Sequence, residues 1–176
     1  MTSGFPLSPP LPHAWIAAHI PHSGSMCLLD EVTAWDAEHI YCTATSHRDP
    51  HNPLRRQGSP GSQDGLAAVC GVEYAAQAMA VHGALLGASQ DRPRAGFLAS
   101  VREVESQVAR LDTLDGTLLV EAERLSGNDN HILYRFALRC GDRLLLSGRA
   151  TVMLDASGVT PGAVLSNGSH NLGSLS

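Results

Sequence analysis

A chain of 176 residues, 43% hydrophobic and 16% charged, has the size and make-up of one soluble globular domain with a proper core. Its formal net charge of −5 argues against general nucleic-acid binding. The 12 basic residues are all arginine, which removes Schiff-base lysine chemistry and leaves guanidinium groups suited to phosphate or carboxylate.

Residues 1–13 are rich in Pro, Ser and Gly and predict an irregular arm, with a short helix from Ala14 to His19. Met26 to Trp35 reads as a strand and Ile40 to Thr45 as its antiparallel partner, joined by a polar turn. Ser46 to Asp64, punctuated by Pro50, Pro53, Gly58, Pro60 and Gly61, predicts a long loop. Leu66 to Leu86 is the one long helix, Ala-rich and apolar all round, as expected of a helix buried within a wrapping sheet. Gly96 to Val101, Glu103 to Arg110, Thr117 to Ser126, His131 to Cys140 and Arg143 to Leu154 follow as strands. Gly127-Asn128-Asp129-Asn130 and Gly141-Asp142 mark hairpin turns. Residues 157–176, rich in Gly, Ser and Asn, predict a flexible tail, which leaves 14–156 as a single domain.

Cys27, Cys42, Cys70 and Cys140 form no C-x-x-C pair and read as reduced thiols. The start of the chain lacks a secretory-signal pattern, and Glu73, Gln77 and His82 interrupt the long apolar run. The expected compartment is the cytoplasm, with no membrane span.

Two separated segments carry the chemistry. Pro21-His22 stands ahead of the apolar run Met26 to Asp30, and Glu73 lies on the long helix with Gln77 one turn later on the same face. A base that titrates near neutrality beside a carboxyl on an apolar element is what proton abstraction next to a carbonyl requires. His22 is the expected general base, Glu73 the general acid, and Gln77 the group that orients Glu73. The alternatives are a loop histidine bonded to a carbonyl, a surface glutamate on a polar stripe, and a buried amide meeting a loop.

These segments resemble the motifs of the 3-hydroxyacyl-acyl carrier protein dehydratases. That family shows Pro-His, an apolar run ending in Asp, and a carboxylate followed four residues on by Gln. Gly71-Val72-Glu73-Tyr74-Ala75-Ala76-Gln77 and the preceding Asn52-Pro53 look closest to dehydratase-like proteins of aryl-polyene type lipid pathways. The resemblance spans roughly Trp15 to Leu154 and implies an α+β hot-dog fold, an antiparallel sheet wrapped around one central helix.

It further implies dehydration of 3-hydroxyacyl thioesters to trans-2-enoyl thioesters in fatty-acid or polyene lipid biosynthesis. No metal or redox cofactor is implied, and the substrate rides on the phosphopantetheine of an acyl carrier protein. The family's site lies between two protomers, so a homodimer or a heterodimer with a related hot-dog subunit is expected. Aligned with the family, Ala67-Ala68 replaces a Pro-Gly pair, which assigns the Ala68 amide to the thioester carbonyl. Met26, Tyr74, Phe97 and Leu98 are candidates for the acyl tunnel. Arg55, Arg56, Arg92 and Arg94 flank the helix ends and offer a carrier-protein docking patch, with scattered solvated charge as the alternative. A non-catalytic subunit partnering a catalytic hot-dog protein, or a hot-dog acyl thioesterase, are the competing functions. His47 with His51 lacks a third ligand at metal spacing, and metal binding by His19 with His22 would compete with the base role of His22.

Overall fold

Among the described residues, seven strands and two α-helices follow one another. The computed structural model describes residues 8–56, 64–87, 96–128 and 130–154. The order is β1 (Leu11–Pro12), α1 (His13–His19), β2 (Glu31–Trp35), β3 (His39–Ala44), α2 (Gly71–Gly87), β4 (Gly96–Ser106), β5 (Leu118–Gly127), β6 (His131–Cys140) and β7 (Arg143–Leu154). All strands join one antiparallel sheet in the order β1-β2-β3-β5-β6-β7-β4. The sheet packs around α2, which is the hot-dog arrangement.

Period-two alternation places the core. Leu118, Val120 and Ala122 of β5 point inward with Ile132, Tyr134, Phe136 and Leu138 of β6 and Leu146 and Ala150 of β7. On α2, Tyr74, Ala75, Gln77, Ala78, Met79, Val81, His82 and Leu85 face them. The helix enters very close to the sheet. A Cβ at Gly71 would stand 2.8 Å from Leu146 Cδ2 and 2.9 Å from Leu138 Cδ2, so a larger residue there would push both leucine side chains aside. At the other end, buried His82 ties α2 to the sheet, its Nδ1 3.0 Å from the Tyr134 hydroxyl and its Nε2 2.8 Å from the Asp36 carbonyl. Burial pushes the His82 pKa down, so Nε2–H donates to the carbonyl and Nδ1 accepts from the tyrosine.

Several expected elements are redrawn. The first strand begins at Glu31 rather than Met26, because Gly24–Met26 is a 3₁₀ turn and side chains satisfy the backbone after it. Leu28 N–H donates to Gln77 Oε1, Ser46 Oγ donates to the Leu28 carbonyl, and the Leu29 carbonyl meets His13 Nδ1. The long helix begins at Gly71, preceded by a 3₁₀ turn over Ala68–Cys70, so Glu73 sits in its first turn. The two strands expected over 96–110 are one strand, β4. It is bent where Glu103 takes φ +53° and the register slips between Arg102 and Glu105. Within the expected arm, Leu11–Pro12 pairs with β2. The tail over 157–176 lies outside the described residues.

The sheet does not enclose α2 on all sides, as its composition led one to expect. Glu73, Ala76, Ala80, Gly83 and Ala84 form a half-exposed strip. No described helix is long and apolar enough to cross a membrane.

Candidate active site

The uncovered strip of α2 is one wall of a groove of about 570 Å³. His19, Pro21 and His22 close one end with Glu73, and Phe97, Leu98, Ile132, Tyr134, Val152 and Leu154 line the rest with Met79 and the small residues of the strip. Chain geometry brings His22 here. The amide of Ile20 closes α1 on the Ile16 carbonyl at 3.1 Å, and the buried Ile20 side chain anchors the exit. The turn over Gly24–Met26 then returns the chain to β2. His22 therefore stands between two short fixed elements.

His22 Nε2 lies 3.0 Å from Glu73 Oε1, with the two side chains 26% and 31% exposed. The pair faces the groove. His22 Nδ1 is buried without a protein partner among the described residues, so the ring is held through Nε2 and by packing.

Gln77 acts where the spacing placed it. Its Nε2 donates to Glu73 Oε1 at 3.1 Å and to the Met26 carbonyl at 2.7 Å, while its Oε1 accepts from Leu28 N–H at 2.9 Å. One fully buried amide thus joins the carboxylate to the segment that follows the histidine. Both His22 and Gln77 engage Oε1, which leaves Glu73 Oε2 with no bond to a described residue.

The other expected roles divide. Phe97 and Leu98 line the groove, 54% and 38% exposed. Tyr74 does not; it is fully buried, and its hydroxyl meets Ser46 Oγ and Asn52 Nδ2, each at 3.0 Å. Burial pushes the Tyr74 pKa up, which suits a structural hydroxyl. Met26 is absent from the groove lining and contributes its carbonyl to Gln77 instead. The Ala68 amide is not free for a thioester carbonyl either. It donates to the Ala109 carbonyl at 3.0 Å, because Ala67 bridges to Arg110 beside it.

Nor is Arg55 a free docking cation. Its Nη2 lies 3.1 Å from Asp112 Oδ2, and Arg110 holds the same carboxylate through two further bonds. Those Arg110 bonds first, then the Leu66 N–H, bring the Asp112 pKa down to about 2. Arg56 is exposed, with its backbone paired to Gly65. Arg92 and Arg94 lie outside the described residues.

Among the described residues, no group of three or more His, Cys, Asp or Glu side chains could hold a metal ion. His47 is fully buried with Nε2 3.0 Å from the Leu114 carbonyl. Cys27, Cys42, Cys70 and Cys140 are free thiols; burial raises the Cys42 pKa to about 12. The sequence reading missed the groove wall of Ala76, Ala80, Gly83 and Ala84. Its signal was there, in small residues recurring every three to four positions in register with Glu73.

The geometry can be set beside known proteins. A family described as ApeP-like, ApeP dehydratase, matches residues 14–159. No curated protein matches the chain. Among solved structures, a chain of the dehydratase heterocomplex ApeI:P from Xenorhabdus doucetiae superposes with a TM-score of 0.69 at 24% identity, over 82% of this chain and 91% of that one. A mutant of a hypothetical protein from Staphylococcus aureus gives a TM-score of 0.52 at 12% identity, over 70% and 91% of the two chains. At these identities the likeness is one of fold.

Proposed function

Because this chain belongs to the ApeP-like dehydratase family, we propose that it removes water from 3-hydroxyacyl thioesters carried on acyl carrier protein, giving trans-2-enoyl thioesters. The observation that carries this reading is the 3.0 Å contact between His22 Nε2 and Glu73 Oε1 at the end of an apolar groove. With the acyl chain in the groove, His22 removes the α-proton and Glu73 protonates the departing 3-hydroxyl. The C–O bond breaks as the C2–C3 double bond forms, and water leaves. The histidine then holds one proton too many and the carboxylate one too few. Their direct contact lets the proton pass from Nε2 back to the carboxylate at Oε1, which restores the charge of both groups before the next turnover. The proposed elimination is redox-neutral and needs no redox cofactor. Gln77 holds Glu73 through Oε1, leaving Oε2 for the substrate. The reading places the enzyme in the cytoplasm, in fatty-acid or polyene lipid biosynthesis.

The test is mass spectrometry of 3-hydroxyacyl-carrier protein incubated with wild type, His22→Ala and Glu73→Gln. Loss of one water by wild type, abolished in both variants, supports the reading. Release of free acid would instead make the protein a thioesterase.

A second reading has its own support. The amide aligned with the family's carbonyl-binding position is occupied, and among the described residues no strand pairs with the outer edge of β4, where Phe97 and Leu98 are exposed. On this reading the chain works as one subunit of a heteromer, with a related hot-dog protein along β4. Pure protein that folds but yields no product, and gains activity only with a co-purifying hot-dog chain, would favour it.

A further inference from the structure

Glycine inside a helix destabilises it relative to alanine, so a helix that carries one has a use for the space. Gly71 has such a use within the chain, against Leu138 and Leu146. Gly83, in the third turn after Glu73, has none: a Cβ built there meets nothing within 4 Å. The empty volume is part of the groove that holds His22 and Glu73 at its other end. Ala76, Ala80 and Ala84 keep the helix wall low between the two, and Phe97, Leu98, Val152 and Leu154 line the groove as well. The groove thus has a polar end at His22 and Glu73 and an apolar remainder, a shape suited to a linear acyl chain bound through its thioester head.

We propose that Gly83 determines substrate specificity by letting the acyl chain run on past the third turn after Glu73. Glu73 and Gly83 are ten residues apart, about 15 Å along the helix, so a side chain at 83 would stop an extended chain at roughly 10–12 carbons. The identity of the occupant rests on the dehydratase reading above; the role of Gly83 in setting its length is a separate matter.

The experiment measures dissociation constants by calorimetry for saturated S-acyl-pantetheines from butanoyl to hexadecanoyl, which bind but cannot be dehydrated. Wild type, Gly83→Leu and Gly83→Ala are compared, with thermal melts and size-exclusion profiles as checks on fold and assembly. Wild-type affinity should rise steadily to hexadecanoyl. In Gly83→Leu the rise should stop near decanoyl, lowering the ratio of hexadecanoyl to butanoyl affinity by about tenfold or more. Gly83→Ala should show a smaller effect in the same direction.

Parallel length profiles in wild type and Gly83→Leu would overturn the proposal. So would wild type that binds no probe, or a Gly83→Leu variant that loses every probe equally or changes its assembly state. The dehydration assay is scored separately. A broken length profile without dehydration by wild type sinks the reaction and spares Gly83. Dehydration with parallel profiles sinks Gly83 and spares the reaction.

Discussion

At its head, α2 is fixed by directed bonds. Gln77 makes three of them, Tyr74 is held by Ser46 and Asn52, and Asp112 draws Arg55, Arg110 and the Leu66 amide together just ahead of the helix. Toward its tail the groove side offers Ala80, Gly83 and Ala84, with no directed bond from their side chains, and one buried histidine on the far side secures the helix. Chemistry needs atoms fixed to a fraction of an ångström, and directed bonds supply that. Holding a lipid needs only a smooth dry wall. On the proposed reading, one helix provides precision at one end and reach at the other.

The contrast can be broken most severely at the reacting pair. His22→Ala and Glu73→Gln should each lower kcat by about 10²–10⁴-fold in the dehydration assay, with melting temperature little changed because both side chains sit at the groove. Gln77→Leu comes next. It strands the Leu28 N–H and frees Glu73, so it should reduce kcat by roughly 10–100-fold and destabilise by about 1–3 kcal/mol in urea titration. An equal loss in Gln77→Leu and Glu73→Gln would mean that orientation, not proton donation, is what Glu73 supplies.

Asp112 tests the head without touching the reacting atoms. Its pKa is lowered in the fold from 3.8 to about 2, so its stabilisation is fully present above pH 3.8 and is lost as the pH falls through about 2. Acid melts should show that loss, and Asp112→Asn should remove most of it, about 1–2 kcal/mol. His82 tests the tail with the opposite chemistry. Its folded pKa lies below 6.5, so the unfolded chain takes up protons first and stability declines as the pH falls below 6.5. His82→Phe should flatten that decline in melting temperature while leaving the Asp112 transition in place. The smallest effect belongs to the empty strip. Gly83→Ala should raise stability by about 0.5–1 kcal/mol, since helix propensity improves and nothing is displaced.

Much of this was legible in the residues. Alternation in β5 to β7 and the turn residues at Asn128 and Gly141 gave the strands, because those signals are local. His22, Glu73 and Gln77 were found by motif and spacing, and the fold brings all three together. What escaped was where the amides go. Ala68 fits the family's position, yet its N–H faces Ala109, some forty residues away in sequence. Tyr74 looked like a tunnel residue because aromatics suit apolar walls, and it turned inward because Ser46 and Asn52 offered its hydroxyl partners. Arg55 looked free because Asp112 is distant in the chain. The edge residues Glu103 and Arg102 read as a break because charge in a strand resembles a loop, whereas an edge strand tolerates it.

His22 and Glu73 meet within this one chain. That fact has a genetic signature. Where two subunits share a site, a copy lacking the base and a copy lacking the acid complement each other, since a mixed dimer rebuilds one whole pair. If the within-chain pair is the reacting one, as proposed, every chain carries its lesion with it. Co-expressed His22→Ala and Glu73→Gln chains should recover nothing, and inactive copies should dilute the activity of wild-type ones in simple proportion.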